Sequence, residues 1–159
     1  MTLIPKTKSS DKRGLETGSP PKSGFAAMAI ELIVSNYDNS LAFWTGPMGF
    51  TVCYTRPATK FAYLEHPDGA QMMFYERDGD WETGPFELPL GRGAIIQLTV
   101  KDIETAHRAV LAANIPLYVP LRERWRHWGD REGGQREFLV QDPDGYLVMV
   151  NQKIGEREL

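Results

Sequence analysis

Cysteine is almost absent from this 159-residue chain: Cys53 stands alone, so no intrachain disulfide can form and a metal site built on several thiolates is excluded. Between Val52 and Tyr54, in a strand-like run, it reads as a small hydrophobe rather than a reactive thiol. Histidine is also scarce. His66 falls in a turn, His107 on a helix and His127 in a polar loop, with no i,i+4 pair to converge on an ion, so all three read as surface residues. No apolar run approaches the length of a membrane span, and the first residues lack the apolar core of a signal peptide. The expectation is a cytoplasmic protein with no membrane partner. Lysine and arginine form no dense cluster and the net charge is −3, which argues against nucleic acid as a partner.

What is present suits one compact domain. Hydrophobic residues make up 42% of the chain, enough to bury a core without staples. Residues 1–24 are rich in Lys, Ser, Gly and Pro and poor in large apolar groups, and so read as a disordered tail. Residues 25–159 read as the domain. In it Met28–Ser35 is an apolar strand run, and Asn36-Tyr37-Asp38-Asn39 supplies cap residues for a helix reaching Trp44. Strands are expected at Phe50–Thr55, Phe61–Glu65 and Gln71–Tyr75. The order then recurs: a strand at Ala94–Val100, a helix over Ile103–Ala113 capped by Asp102, and strands at Pro116–Val119, Arg136–Gln141 and Leu147–Asn151. Two turns, His66-Pro67-Asp68-Gly69 and Asp142-Pro143-Asp144-Gly145, each introduce a final apolar strand. A repeated unit too small to enclose a core alone implies two copies packed together. The fold class expected is α+β, with two tandem βαβββ modules, about 28–76 and 94–151, forming a curled mixed sheet around a cleft.

Several pieces, in order, resemble the vicinal oxygen chelate superfamily of glyoxalases, bleomycin-resistance proteins and extradiol dioxygenases. They are Ser40-Leu41-Ala42-Phe43-Trp44, Met48-Gly49-Phe50, Gln135-Arg136-Glu137-Phe138 and Asp142-Pro143-Asp144-Gly145-Tyr146-Leu147. In the superfamily's metalloenzymes the resemblance places ligands on the first and last strand of each module, usually His, Gln or Glu. The corresponding positions here are Ala29, Met73, Ile95 and Met149, none of which suits a hard or borderline divalent ion. No metal and no other cofactor is therefore expected, and the chain is closest to the metal-free bleomycin-resistance-like members. A shift of two residues would bring Glu31 or Gln97 to those places instead.

The resemblance implies a homodimer that sequesters a small molecule, such as a cationic aromatic antibiotic, with an enzyme homologue (lyase, isomerase or dioxygenase, with a noncanonical or absent metal) as the alternative. Tyr54 and Phe61 stand at places resembling the ligand-facing aromatics of the resistance proteins. The connector Glu76–Leu90 adds Trp81 and Phe86 among Glu76, Asp78, Asp80, Glu82 and Glu87, materials for attracting and stacking a cation. Leu121–Asp130 reads as a loop insertion whose Trp125 and Trp128 would line a ligand crevice or cap the core, while Arg122, Arg124 and Arg126 would clamp an anion or face water. Tyr54, Phe61, Trp81, Trp125 and Trp128 are thus the candidate ligand-binding residues. No catalytic residue is assigned, because strand carboxylates such as Glu31, Glu65 and Glu137 show no geometry in sequence alone.

Overall fold

A computed structural model describes residues 17–159; residues 1–16, most of the expected tail, lie outside the described residues. The first module runs β2 (Ile30–Val34), α1 (Tyr37–Thr45), β3 (Thr51–Arg56), β4 (Phe61–Glu65) and β5 (Gln71–Glu76), preceded by a two-residue strand β1 (Thr17–Gly18). The second runs β6 (Ile95–Thr99), α2 (Ile103–Ala112), β7 (Leu117–Trp128), β8 (Arg131–Gln141) and β9 (Leu147–Glu158). Two mixed sheets result, ordered β1-β3-β4-β5-β2 and β6-β9-β8-β7. In each, the first strand of the module lies parallel to its last, β2 to β5 and β6 to β9, and the other pairs are antiparallel. The chain is α+β with two βαβββ modules, held in two separate hydrogen-bonded ladders. No helix among the described residues is long and apolar enough to cross a membrane.

Alternation along the strands decides which face is buried. Leu32 and Val34, Ala62 and Leu64, Met72 and Phe74 point to the helix side of the first sheet; Leu98 and Val100, Phe138 and Val140, Val148 and Val150 do so in the second. With Phe43, Trp44, Ile103 and Val110 from the helices they form one continuous core. The helices start where the sequence said they would. Asn36 Oδ1 accepts the Asn39 N–H at 2.9 Å and Asp102 Oδ1 that of Thr105 at 3.1 Å, filling donors that a helix start leaves orphaned. α2 stops where Asn114 turns left-handed (φ 55), a conformation asparagine tolerates.

The repeated turn motifs do more than introduce strands. Asp144 of the second module reaches the first-strand exit of the first, where Oδ2 accepts the Ser35 N–H at 2.8 Å and Oδ1 bonds the Ser35 hydroxyl. Asp68 of the first module reciprocates, accepting the Lys101 N–H at 2.9 Å. His66 and Asp142 occupy equivalent turn positions, each accepting the N–H two residues on, at 3.0 and 2.9 Å.

Three sequence expectations are corrected here. Residues 17–24, assigned to the disordered tail, lie along the first sheet: Thr17 and Gly18 pair with Thr55 and Tyr54, and the Lys22 N–H and Ser23 hydroxyl bond the Glu65 carboxylate. Polar backbone contacts, which a composition argument does not register, hold this strap. Leu121–Asp130 is not a loop insertion. β7 runs unbroken to Trp128 and turns through Gly129-Asp130 into β8, Gly129 at φ 65 occupying the first central position that a two-residue hairpin asks of glycine. Finally, His66 is buried against Phe50, and His107 is half-buried against Phe138 with Nε2 unpartnered; of the three histidines only His127 is exposed.

Candidate functional site

The helix-free face of the first sheet carries two cross-strand rows. One is Glu31, Met73, Tyr63 and Tyr54; the next is Ile33, Tyr75, Phe61 and Arg56. Tyr54 stacks on Tyr63 at 5.3 Å and 10° and packs on Phe61 at 5.8 Å, with the Arg56 guanidinium 4.4 Å above the Phe61 ring. Tyr54 and Phe61, expected at the ligand site, are thus brought together. They are also largely covered, because Phe25, next after the strap, packs edge-on against Tyr63 and Tyr54, and Phe61 is only 4% exposed. The strap is pinned by Gln71, whose Nε2 donates to the Ser23 hydroxyl at 3.0 Å and the Gly24 carbonyl at 2.7 Å, while its Oε1 accepts the Tyr63 hydroxyl at 2.6 Å and the Ala26 N–H at 2.9 Å.

Beside this stack, across β5 and β2, the face turns acidic. Burial first, and then the charges of Asp78, Glu31, Asp80 and Glu82, push the Tyr75 phenol up to about 12. Its hydroxyl donates to the Asp80 carbonyl at 3.0 Å, drawing the connector over the sheet edge. Desolvation raises the Glu31 carboxyl, with Arg56 pulling it down. In the connector Arg77 is taken up by Glu82 at 2.7 Å and lies 4.2 Å over the Phe86 ring. Trp81 stands next to these groups, 75% exposed and left-handed at φ 61. A bulky side chain in that region costs on the order of 1–3 kcal/mol.

The remaining two predicted residues are elsewhere, on the long hairpin of the second module. Trp125 lies over Gly134, where an added Cβ would come within 2.7 Å of its ring, and the Arg157 guanidinium covers its other side at 4.1 Å. Its indole N–H donates to Glu123 at 2.6 Å. Trp128, 60% exposed, sits beside Gly133. Their charged neighbours are of both signs, Glu123 and Arg157 at Trp125 and Arg126, Lys153 and Glu156 around Trp128, and none belongs to the acidic connector. The five aromatics therefore fall into three places: a covered stack, an exposed tryptophan at an acidic edge, and two tryptophans on a hairpin of mixed charge.

Sequence reading left Glu137 without a role. It is fully buried on the helix-free face of the second sheet and accepts from Arg122 at 2.9 Å, Arg126 at 3.1 Å and Gln135. Burial works to raise its pKa, but the hydrogen bonds from Gln135, Arg122 and Arg126 outweigh it and hold the carboxyl below its ordinary value. The Arg-Glu-Phe step of the sequence was the signal for it, but its cross-strand arginines emerge only once β7 is known to extend past Arg126.

The resemblance implies a metal in this region in the superfamily's metalloenzymes, and the donor set here does not fit one. Glu31 is paired with Met73 and Gln97 with Met149, while Ile95 is paired with Leu147. One carboxylate and one amide on two different sheets, with thioethers beside them, do not make a site for a hard or borderline divalent ion. Among the described residues no group of three or more His, Cys, Asp or Glu could hold an ion.

The pattern of the Glyoxalase/Bleomycin resistance protein/Dioxygenase superfamily matches residues 26–150, and the chain belongs to that family. It is 33% identical to a superfamily member from Vibrio splendidus over 78% of this chain and 95% of that one, with a TM-score of 0.37. A virulence protein of Salmonella typhimurium is 18% identical over 82% of this chain and 98% of that one, TM-score 0.60. TioX from a Micromonospora species is 20% identical over 82% and 98%, TM-score 0.57. The last two share the fold. No curated protein matches the chain.

Proposed function

We propose that the protein is a metal-free small-molecule binder that takes a cationic aromatic ligand, an antibiotic of the bleomycin class being a fitting probe, at the acidic edge of the first module. The observation that carries this reading is the convergence of Glu31, Asp78, Asp80 and Glu82 on Tyr75 beside an exposed Trp81. A cation gains from both the carboxylate field and the ring faces, and Tyr75, held as a neutral phenol, adds a face rather than a charge. The unsuitable donors at the family's ligand positions support binding without a metal.

In a titration with a bleomycin-class compound, tryptophan fluorescence should be quenched. Trp81→Ala should weaken binding by about two- to tenfold, the usual worth of one stacked ring, and added salt should weaken it further because the carboxylates are exposed to screening. Trp125→Ala should leave the affinity unchanged. Failure of the folded protein to bind such a cation, or a loss that follows Trp125 and not Trp81, would remove this reading.

A further inference from the structure

The three strands of the second module run about twice the length of their counterparts in the first: twelve, eleven and twelve residues for β7, β8 and β9 against six, five and six for β3, β4 and β5. The extra length forms a three-stranded flap, and on it lies a cavity of about 300 Å³ whose walls include Arg126, Trp128, Gln135, Lys153 and Glu156. We propose that this slot is a separate binding site for a flat organic anion, an aromatic carboxylate or sulfonate.

Shape comes first. Gly133, Gly134 and Gly155 line the slot, so no side chain rises from those positions. Trp128, exposed and lying 3.5 Å from where a Gly133 Cβ would stand, offers a ring wall beside that bare surface. The edge of the Trp128 ring already rests on Gly133, so a planar ligand stacks on the exposed part of the indole, over a floor that the glycines keep free of side chains.

Charge decides the sign of the ligand. Arg126 is anchored by Glu137, but Arg122 shares the same carboxylate, so the Arg122–Glu137–Arg126 group retains one positive charge. Lys153, on β9, has no carboxylate partner among the described residues and adds a second. The opposing Glu156 is turned to Arg131 at 3.8 Å, and His127 to Glu132 at 3.1 Å, so each of these is matched by its own partner. A mouth with an excess of cations, one of them held in place by a buried carboxylate, favours an anion over the cation proposed for the first module. The two sites differ in module, in charge and in tryptophan, so each can fail without the other.

The probe is 2-naphthoate, with 2-naphthylmethylammonium as its cationic counterpart, followed through the Trp128 indole N–H resonance and by calorimetry on the full chain. Naphthoate should shift the Trp128 resonance, identified by its loss in Trp128→Phe, and the ammonium compound should not. Lys153→Glu should lower naphthoate affinity about tenfold or more, the effect of turning one nearby attraction into repulsion. Gly133→Val puts a branched side chain, well suited to a strand, into the slot and should abolish binding with the fold retained by circular dichroism. Naphthoate binding that survives both substitutions, equal binding of the two probes, or no shift of Trp128 at millimolar probe would overturn the proposal.

Discussion

Two buried carboxyls show how context sets the sign of a titration. Asp142 is 4% exposed, with Oδ1 accepting the Asp144 and Tyr146 N–H groups and the Trp44 side chain adding to the bonds that lower its pKa. Burial pushes its pKa from 3.8 up to about 6. The folded chain therefore holds a proton there that the unfolded chain has already released, and stability falls as pH rises from about 3.8 to about 6, by on the order of 3 kcal/mol from this group. Glu137 is the reverse: its pKa lies below the ordinary 4.5, so its contribution is present above 4.5 and is lost as pH falls through the lower folded value. A carbon-detected NMR titration should find Asp142 protonating near pH 6 and Glu137 still ionised at pH 4.5. Glu137→Gln should cost about 1–3 kcal/mol at pH 7, the arginines being half exposed, with the deficit shrinking in acid. A flat stability difference between pH 3 and 7 would contradict the assignment. His66, the equivalent of Asp142, was read from sequence as a surface turn residue. The repeat itself held the missing hint, since the two Pro-Asp-Gly turns align His66 with Asp142 and both positions support the turn from inside.

At the scale of elements, the sequence was most legible where an apolar face had to be buried. Strands β2, β4, β5 and β6 and both helices lie within a few residues of where alternation, three-four spacing and the Asn36 and Asp102 caps placed them. It was least legible where structure is held by the backbone with little apolar burial. Arg122 to Trp128, Arg131 to Gln135 and Gln152 to Glu158 carry charged residues on both faces and apolar ones at no regular spacing, so no hydrophobic period marks them as strands. Only Gly129-Asp130 between them signals a hairpin, and the two tryptophans drew the reading toward a loop. The strap has the same character. Its Gly18 approaches Cys53 so closely that a Cβ would lie 2.2 Å from the carbonyl oxygen, a fit that composition cannot disclose. Removing residues 1–16 and removing 1–24 should consequently differ. The longer deletion takes away the Thr17–Gly18 pairing, the Ser19 N–H bond to Cys53 at 3.0 Å and the Lys22 and Ser23 bonds to Glu65, and should cost about 1–3 kcal/mol more in urea unfolding at the net worth of a few partly exposed hydrogen bonds. Equal midpoints for the two truncations would show that the strap adds nothing.

For the whole molecule the question is what joins two ladders that share no strand pairing. One shared core supplies most of the attraction without fixing orientation, since apolar contact is non-directional. Direction comes from the crossed turn contacts, Asp144 to Ser35 and Asp68 to Lys101, supplemented by the Tyr146 hydroxyl donating to the Ile33 carbonyl at 2.9 Å. These motifs were visible in the sequence as repeats, yet their meeting partner lay in the opposite half of the chain, which spacing within a module cannot reveal. The two contacts are equivalent in topology and unequal in burial: Asp144 is 2% exposed, whereas Asp68 is only partly buried and shares its other oxygen with Lys101 Nζ at 3.7 Å. Asp144→Ala, which removes a buried carboxylate and its two part-buried bonds to Ser35, should cost about 1–3 kcal/mol, and Asp68→Ala, whose carboxylate is less buried, about 1 kcal/mol. Because both bonds pin the same interface, the first loss should leave the modules looser and the second easier to bear, so the double variant should lose less than the sum of the single losses. Urea unfolding of the four proteins checks this. Independent, additive losses would mean that each turn serves only its own neighbourhood, and an Asp144→Ala variant as stable as the parent would mean that the core alone sets how the modules sit.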